Sequence, residues 1–184
     1  MPVPVSRLMK LGTPRLDLPT GDYPAIIVAM VYPKETNGAC NRTRGEYLLQ
    51  VHNKEDMVCY VATKPFDISI NESSPLYTLL CGLSNTHSPE QLFSWLERND
   101  YFVDDMFDET DFLGAPVMAH VERREKRKPN VPGPSKFFNL VTEFAPIDES
   151  REPTLNTGRL IPAGFANTNK YVIEKLEELE VDEA

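Results

Sequence analysis

Arg123, Arg124, Lys126, Arg127, Lys128 and Lys136 fall within one stretch, Glu122 to Lys136, in which Glu122 and Glu125 are the only acids. A second basic window, Tyr32 to Arg44, holds Lys34, Arg42 and Arg44 against Glu35. The two windows carry +4 and +2, so the remaining residues carry −15 to reach the net charge of −9. Charge segregated in this way creates a local field hidden by the overall pI of about 4.9, and cations in a row suit a polyanion whose phosphates they neutralise. A mixed charge run taken alone is more simply the solvated tip of a hairpin.

Binding of single strands needs aromatic faces beside such cations, because unstacked bases lie on them. Tyr47 and Tyr60 are the expected stacking residues, with Phe66, Phe137 and Phe138 as further candidates near the basic loops. For each, the competing role is core packing, the usual fate of an aromatic on an alternating strand. Asn130 and Ser135 offer additional hydrogen bonds to phosphate.

Asp104, Asp105, Asp108, Glu109 and Asp111 are the acids that could gather a divalent metal for phosphodiester hydrolysis. Acids bunched in one segment usually form a solvated turn, whereas a two-metal site draws its ligands from separate elements, and no calcium-loop spacing is present. His52, His87 and His120 are dispersed, with no nucleophile context and no paired cysteine. Cys40, Cys59 and Cys81 are odd in number and far apart, so reduced thiols are expected, two of them buried, rather than a disulfide framework or a zinc site. With no phosphate-binding Gly-Lys loop either, the reading is a protein without catalytic residues or cofactor.

The 184 residues suit one domain with extensions. Gly21 to Val31 is rich in β-branched and apolar residues and closes at Pro33, so a long first strand is expected. Gly45 to Asn53 alternates Tyr47, Leu49 and Val51 against Glu46, Gln50 and His52, and Met57 to Ile70 supplies a third run. Ser74-Pro75 and Ser88-Pro89 each open a short helix, the first stopping at Gly82. A fourth strand over Val117–Glu122, the basic loop, and a fifth over Phe137–Phe144 complete the order β-β-β-α-β-β. That is the order of a five-stranded OB-fold barrel, mainly β, with a short helical insert between strands 3 and 4. In such a barrel the nucleic-acid face uses strands 2 and 3 and the loops joining strands 1–2 and 4–5, which here are the two basic windows. The expected division is an N-terminal arm (1–20), an OB domain (21–147), and a Pro/Asn-rich linker with an acidic tail (148–184). In that tail Val172, Leu176 and Leu179 have helical spacing, so it reads as a short amphipathic helix or a disordered tail.

The opening Pro2-Val3-Pro4-Val5-Ser6-Arg7-Leu8-Met9-Lys10-Leu11-Gly12, the Leu18-Pro19-Thr20-Gly21-Asp22-Tyr23-Pro24-Ala25 lead into strand 1, the Phe112-Leu113-Gly114-Ala115-Pro116-Val117 lead into strand 4, and Phe137-Phe138-Asn139-Leu140-Val141 together resemble a family of phage-encoded OB-fold proteins regarded as single-stranded DNA-binding. The resemblance covers roughly residues 1–147. It implies a non-enzymatic protein of DNA replication or recombination, acting in the host cytoplasm. Single-stranded DNA would be one partner, and replication or recombination proteins would meet the acidic tail. Where such proteins place basic residues after strand 3, this chain has the uncharged-to-acidic Asn71-Glu72-Ser73-Ser74-Pro75-Leu76-Tyr77, which leaves binding to the two loops and the strand aromatics. The alternatives are an OB module that docks proteins or a virion, and the metal nuclease. No apolar run is long enough for a membrane helix, and the first twenty residues lack the apolar segment of a signal peptide.

Overall fold

The computed structural model describes residues 17–33, 42–55, 57–126, 133, 136–156 and 170–174, the last five by backbone alone. β1 (Gly21–Pro33) is followed by β2 (Arg44–His52), β3 (Val58–Ala62) and the two-residue β4 (Phe66–Asp67). Two helices come next, α1 (Pro75–Ser84) and α2 (Pro89–Arg98), then the small hairpin β5 (Phe102–Val103) and β6 (Met106–Phe107) and a 3-10 turn over Glu109–Phe112. The long hairpin β7 (Pro116–Lys126) and β8 (Lys136–Ala145) follows, and β9 (Lys170–Glu174) ends the described chain.

The protein is mainly β, and its main sheet is a curled antiparallel half-barrel. Its strand order is β3-β2-β1-β7-β8, with β4 added to β2 and β9 to β1. Beyond the end of β3, Thr63 makes a parallel bridge to Val141 in β8, so the two edges of the curl meet there.

Two bulges shape the sheet. In β1 the register against β2 shifts between Ile27 and Ala29. Ala25 and Ile27 before the bulge, and Met30 and Tyr32 after it, therefore face the same core, while Ile26, Val28, Ala29 and Val31 form a second cluster on the other face. An extra residue of this kind increases local twist and bends the strand. β8 repeats the device opposite His120–Val121, which lets Val141 and Phe144, three residues apart, both enter the core.

The helices begin as their sequence implies. Ser74 accepts a hydrogen bond from the Leu76 amide and Ser88 from the Gln91 amide, and each is followed by a proline whose missing N–H costs nothing at that position. α1 runs past Gly82 and stops at Asn85, whose φ of 54° supplies the left-handed cap. Gly82 instead serves close approach: a Cβ there would collide with the backbone carbonyl of Phe144.

Three expectations change. The run from Met57 to Ile70 is two strands: at Thr63, which still bonds to Tyr47 in β2, the chain also bridges to Val141 in β8, and Pro65 cannot donate to a ladder. Tyr171, Val172 and Ile173 lie in a strand rather than a helix; β9 takes the edge of β1 from Ala29 to Pro33, where β7 no longer pairs. Residues 175–184 lie outside the described residues. The polar face expected on β2 is also not open to solvent. Glu46, Gln50 and His52 are buried, Leu155 packs on the second apolar cluster, and the Asn156 amide donates to Gln50 Oε1 at 2.8 Å. The chain after residue 147 thus stays on the sheet at least to Asn156. Among the described residues no helix is long and apolar enough to cross a membrane.

Gly82→Ala is expected to destabilise the fold by about 1–3 kcal/mol through overpacking against β8. Urea denaturation checks this; unchanged stability would show that α1 can move off the strand.

Candidate functional site

β7 and β8 extend as strands as far as Lys126 and Lys136, so the basic window is paired strand over Glu122–Lys126 and at Lys136. Cross-strand partners share a face. The outer face carries Glu122 opposite Leu140, Arg124 opposite Phe138, and Lys126 opposite Lys136. Phe138 is 43 % exposed between these cations. Arg124 donates to Glu122 at 2.8 Å, whereas Lys126 and Lys136 have no ion-pair partner among the described residues. Like charges directly opposite on a ladder destabilise it, so two facing lysines create a place where an anion is favoured. Arg127 and Lys128, like Asn130 and Ser135, lie outside the described residues.

On the inner face Arg123 is opposite Asn139, and its guanidinium lies 3.6 Å from the centroid of the Phe137 ring. Its charge is already engaged by Asp17, to which Nε donates at 2.9 Å and Nη2 at 2.8 Å.

The first basic window is built differently. Lys34 lies outside the described residues, and Arg44 is exposed at the start of β2. Arg42 donates from Nη2 to Glu109 at 2.9 Å and to Asp108 at 3.3 Å, so its charge is satisfied internally. Glu109 is only 3 % exposed and also accepts from Tyr32 Oη at 2.5 Å. Tyr47 completes the cluster, its hydroxyl donating to the Glu109 carbonyl at 2.7 Å. Burial, then the nearby Glu109 charge, hold the Tyr32 and Tyr47 phenols far above their ordinary titration range. Burial pushes the Asp108 carboxyl up, but hydrogen bonds from Thr110 and Arg42 outweigh it and leave the group below its ordinary value.

Tyr47 is therefore a correction: it is fully buried against Phe66 and Phe144 and has no face to offer a base. Phe66 is likewise core. Tyr60 is half-buried beside the second apolar cluster, and its hydroxyl accepts from Gln50 Nε2 at 3.1 Å, so the covered β2–β3 face leaves it little room to act as a platform. Phe138, not Tyr47, is the aromatic that lies exposed among cations. The signal for it was the alternation of Arg124 and Lys126 across from Phe138 and Lys136, visible once the strands are extended past Glu122.

The structure also separates the two windows. Arg42 and Arg44 lie at the end of β1 marked by Pro33, whereas β7 runs five residues past the Gly21–Val121 pair at the other end. The 13 residues of β1 span roughly 40 Å if straight.

The acids have distinct duties. Asp104 and Asp105, with φ of 52° and 59°, form the two-residue turn of the β5–β6 hairpin, for which positive φ at both positions is required. Asp108 caps the 3-10 turn by accepting from the Thr110 amide, and Glu109 is in the buried network. Among the described residues no group of three His, Cys, Asp or Glu side chains is placed to hold a metal. Near these acids a cleft of about 510 Å³ is lined by Arg42, Tyr101, Val103, Met106 and Phe107, with Val103 and Met106 52 % and 74 % exposed. His120 pairs with Asp22 across β1 and β7, and His52 with Gln50. Cys59 and Cys81 are half-buried rather than buried, burial pushing the Cys59 thiol up to about 11. Cys40 lies outside the described residues.

No family model matches this sequence, and no curated protein matches it.

Arg42→Ala is expected to cost about 1–3 kcal/mol in urea denaturation, because the buried Glu109 carboxylate loses a charged donor. Arg124→Ala should stay within about 0.5 kcal/mol of the parent. Equal stability losses in the two variants would show that Arg42 is not a structural cation.

Proposed function

We propose that this protein is a non-enzymatic single-stranded DNA-binding protein, phage-encoded and acting in replication or recombination in the host cytoplasm, with the outer face of the β7–β8 hairpin as its main contact. The observation that carries the reading is the exposed Phe138 set among Arg124, Lys126 and Lys136, with the two lysines facing each other across the ladder. This combines a base-stacking surface with phosphate-binding cations on one face, as single-strand binding requires. The reading also takes the half-barrel as an OB barrel. Three features support it: the order β3-β2-β1-β7-β8, the parallel bridge from Thr63 to Val141, and helices inserted between the third and fourth long strands. In this version of the barrel the covered β2–β3 face gives up its binding role to the hairpin.

A second reading, a protein-docking module, is favoured by the cleft in which exposed Val103 and Met106 stand among Asp100, Asp108 and Asp111. The two readings use opposite ends of β1 and separate by ligand.

Titration with a labelled oligothymidylate and a matching duplex tests the proposal. Single strands should bind more tightly, with a log-log salt slope near about −3 for roughly four phosphates. Phe138→Ala should weaken binding by about 1–3 kcal/mol with little change in stability. Equal affinity for duplex, or a slope near zero, would overturn the reading.

A further inference from the structure

Residues 17–20 cross the inner face of the β7–β8 hairpin and are held there twice. Asn139 grips the backbone of Leu18, accepting from its amide at 3.0 Å and donating to its carbonyl at 2.7 Å, while the Leu18 side chain enters the core. The Arg123 amide donates to Thr20 Oγ1 at 3.0 Å. Beyond this anchor Asp17 receives the Arg123 guanidinium through Nε at 2.9 Å to each carboxylate oxygen and Nη2 at 2.8 Å to one of them. The same guanidinium is stacked on Phe137, whose ring is 45 % exposed.

A planar guanidinium fork offered to a carboxylate is equally suited to a phosphate, and its stacking on an aromatic ring fixes the fork's plane. The Asp17 carboxylate therefore occupies the position that a backbone phosphate would take. We infer that Arg123 and Phe137 form a second nucleic-acid subsite on the inner face of the hairpin, closed in the free protein by Asp17 acting as an internal phosphate mimic. This inference rests on the hairpin being the single-strand contact proposed above. Together with Phe138 on the outer face, it gives the hairpin an aromatic ring and a cation on each side, so that a single strand can pass around it.

The closure is reversible at small cost. The Arg123 and Asp17 side chains remain 36 % and 50 % exposed, and ion pairs of that exposure are weak. Asp17 can also leave without dislodging the strap, since Leu18 and Thr20 are held by Asn139 and the β7 backbone rather than by the ion pair. The hydrogen bond from Arg123 keeps the Asp17 carboxyl below its ordinary titration range, so the mimic stays charged at neutral pH.

The test uses the full chain and a labelled oligothymidylate of about 12 nucleotides, titrated between about 0.05 and 0.2 M salt. Asp17→Asn removes the competing charge and keeps the side-chain size. It should tighten binding about 2- to 5-fold, the scale of an exposed ion pair. The salt slope should steepen by about 0.7, the increment for one additional phosphate on a single strand. Arg123→Ala should abolish both changes, so that Asp17→Asn has no effect in its background. Parent binding with no change in affinity or slope in Asp17→Asn overturns the inference and leaves the functional reading intact. A gain that persists without Arg123 also overturns it, because the effect is then general charge removal. If the parent chain fails to bind, the functional reading falls first and the subsite falls with it.

Discussion

β1 must serve three partners, and the rest of the structure follows from how its edges are divided. One edge pairs with β2 through most of its length; the other pairs with β7 from Gly21 to Ile26 and with β9 from Ala29 to Pro33. The bulge between Ile27 and Ala29 lies at the changeover, where Ile27 bonds to Ala115 and Gly114 in place of a regular ladder. Because the strand bends there, its two halves bury opposite side-chain parities in the same core, and the sheet can curl until Thr63 meets Val141. β7 is released from β1 at Val121 and projects with β8 beyond it, crossed on the inner face by residues 17–20. The cations of that hairpin are exposed because β1 is too short to accompany them.

Charge alone is a poor guide to which cations are available. Arg42, Arg123 and Arg124 all have carboxylate partners, but the partners differ in kind. Glu109 is buried, and removing its donors would leave a charge in a low-dielectric interior, so Arg42 is committed to the fold. Asp17 and Glu122 are solvated, and their pairs can be exchanged for a better anion at small cost. The acidic body adds direction to this arrangement. Asp100, Asp104, Asp105, Asp108 and Asp111 lie around the far end of β1 and give it a negative field, in contrast to the cations on the hairpin.

Much of the local structure was legible in the sequence. The caps at Ser74 and Ser88, the order of the long strands and the position of the basic hairpin follow from turn chemistry and apolar patterning. The burial of Tyr47 was legible, because alternation puts it on the apolar face with Leu49 and Val51, and choosing it as a stacking residue went against that pattern. Gln50 was not legible, because it reads as solvent-facing and is buried by a segment more than a hundred residues later. Gly82 has the composition of a helix stop, but its role depends on the nearness of β8, a tertiary fact. Asp17 carried no signal at all, since an isolated acid before a turn acquires meaning only through Arg123 on a distant strand.

The central claim is that single strands are held on the β7–β8 hairpin and not on the face of β2 and β3. A backbone amide spectrum recorded during titration with a short oligothymidylate tests it most directly. Among the described residues, progressive shifts are expected at 122–126 and 136–140 and in the strap at 17–20, with 46–60 and 102–111 unchanged. Shifts centred on the β2–β3 face around Tyr60 or on the β5–β6 hairpin would contradict it, as would a spectrum that does not respond.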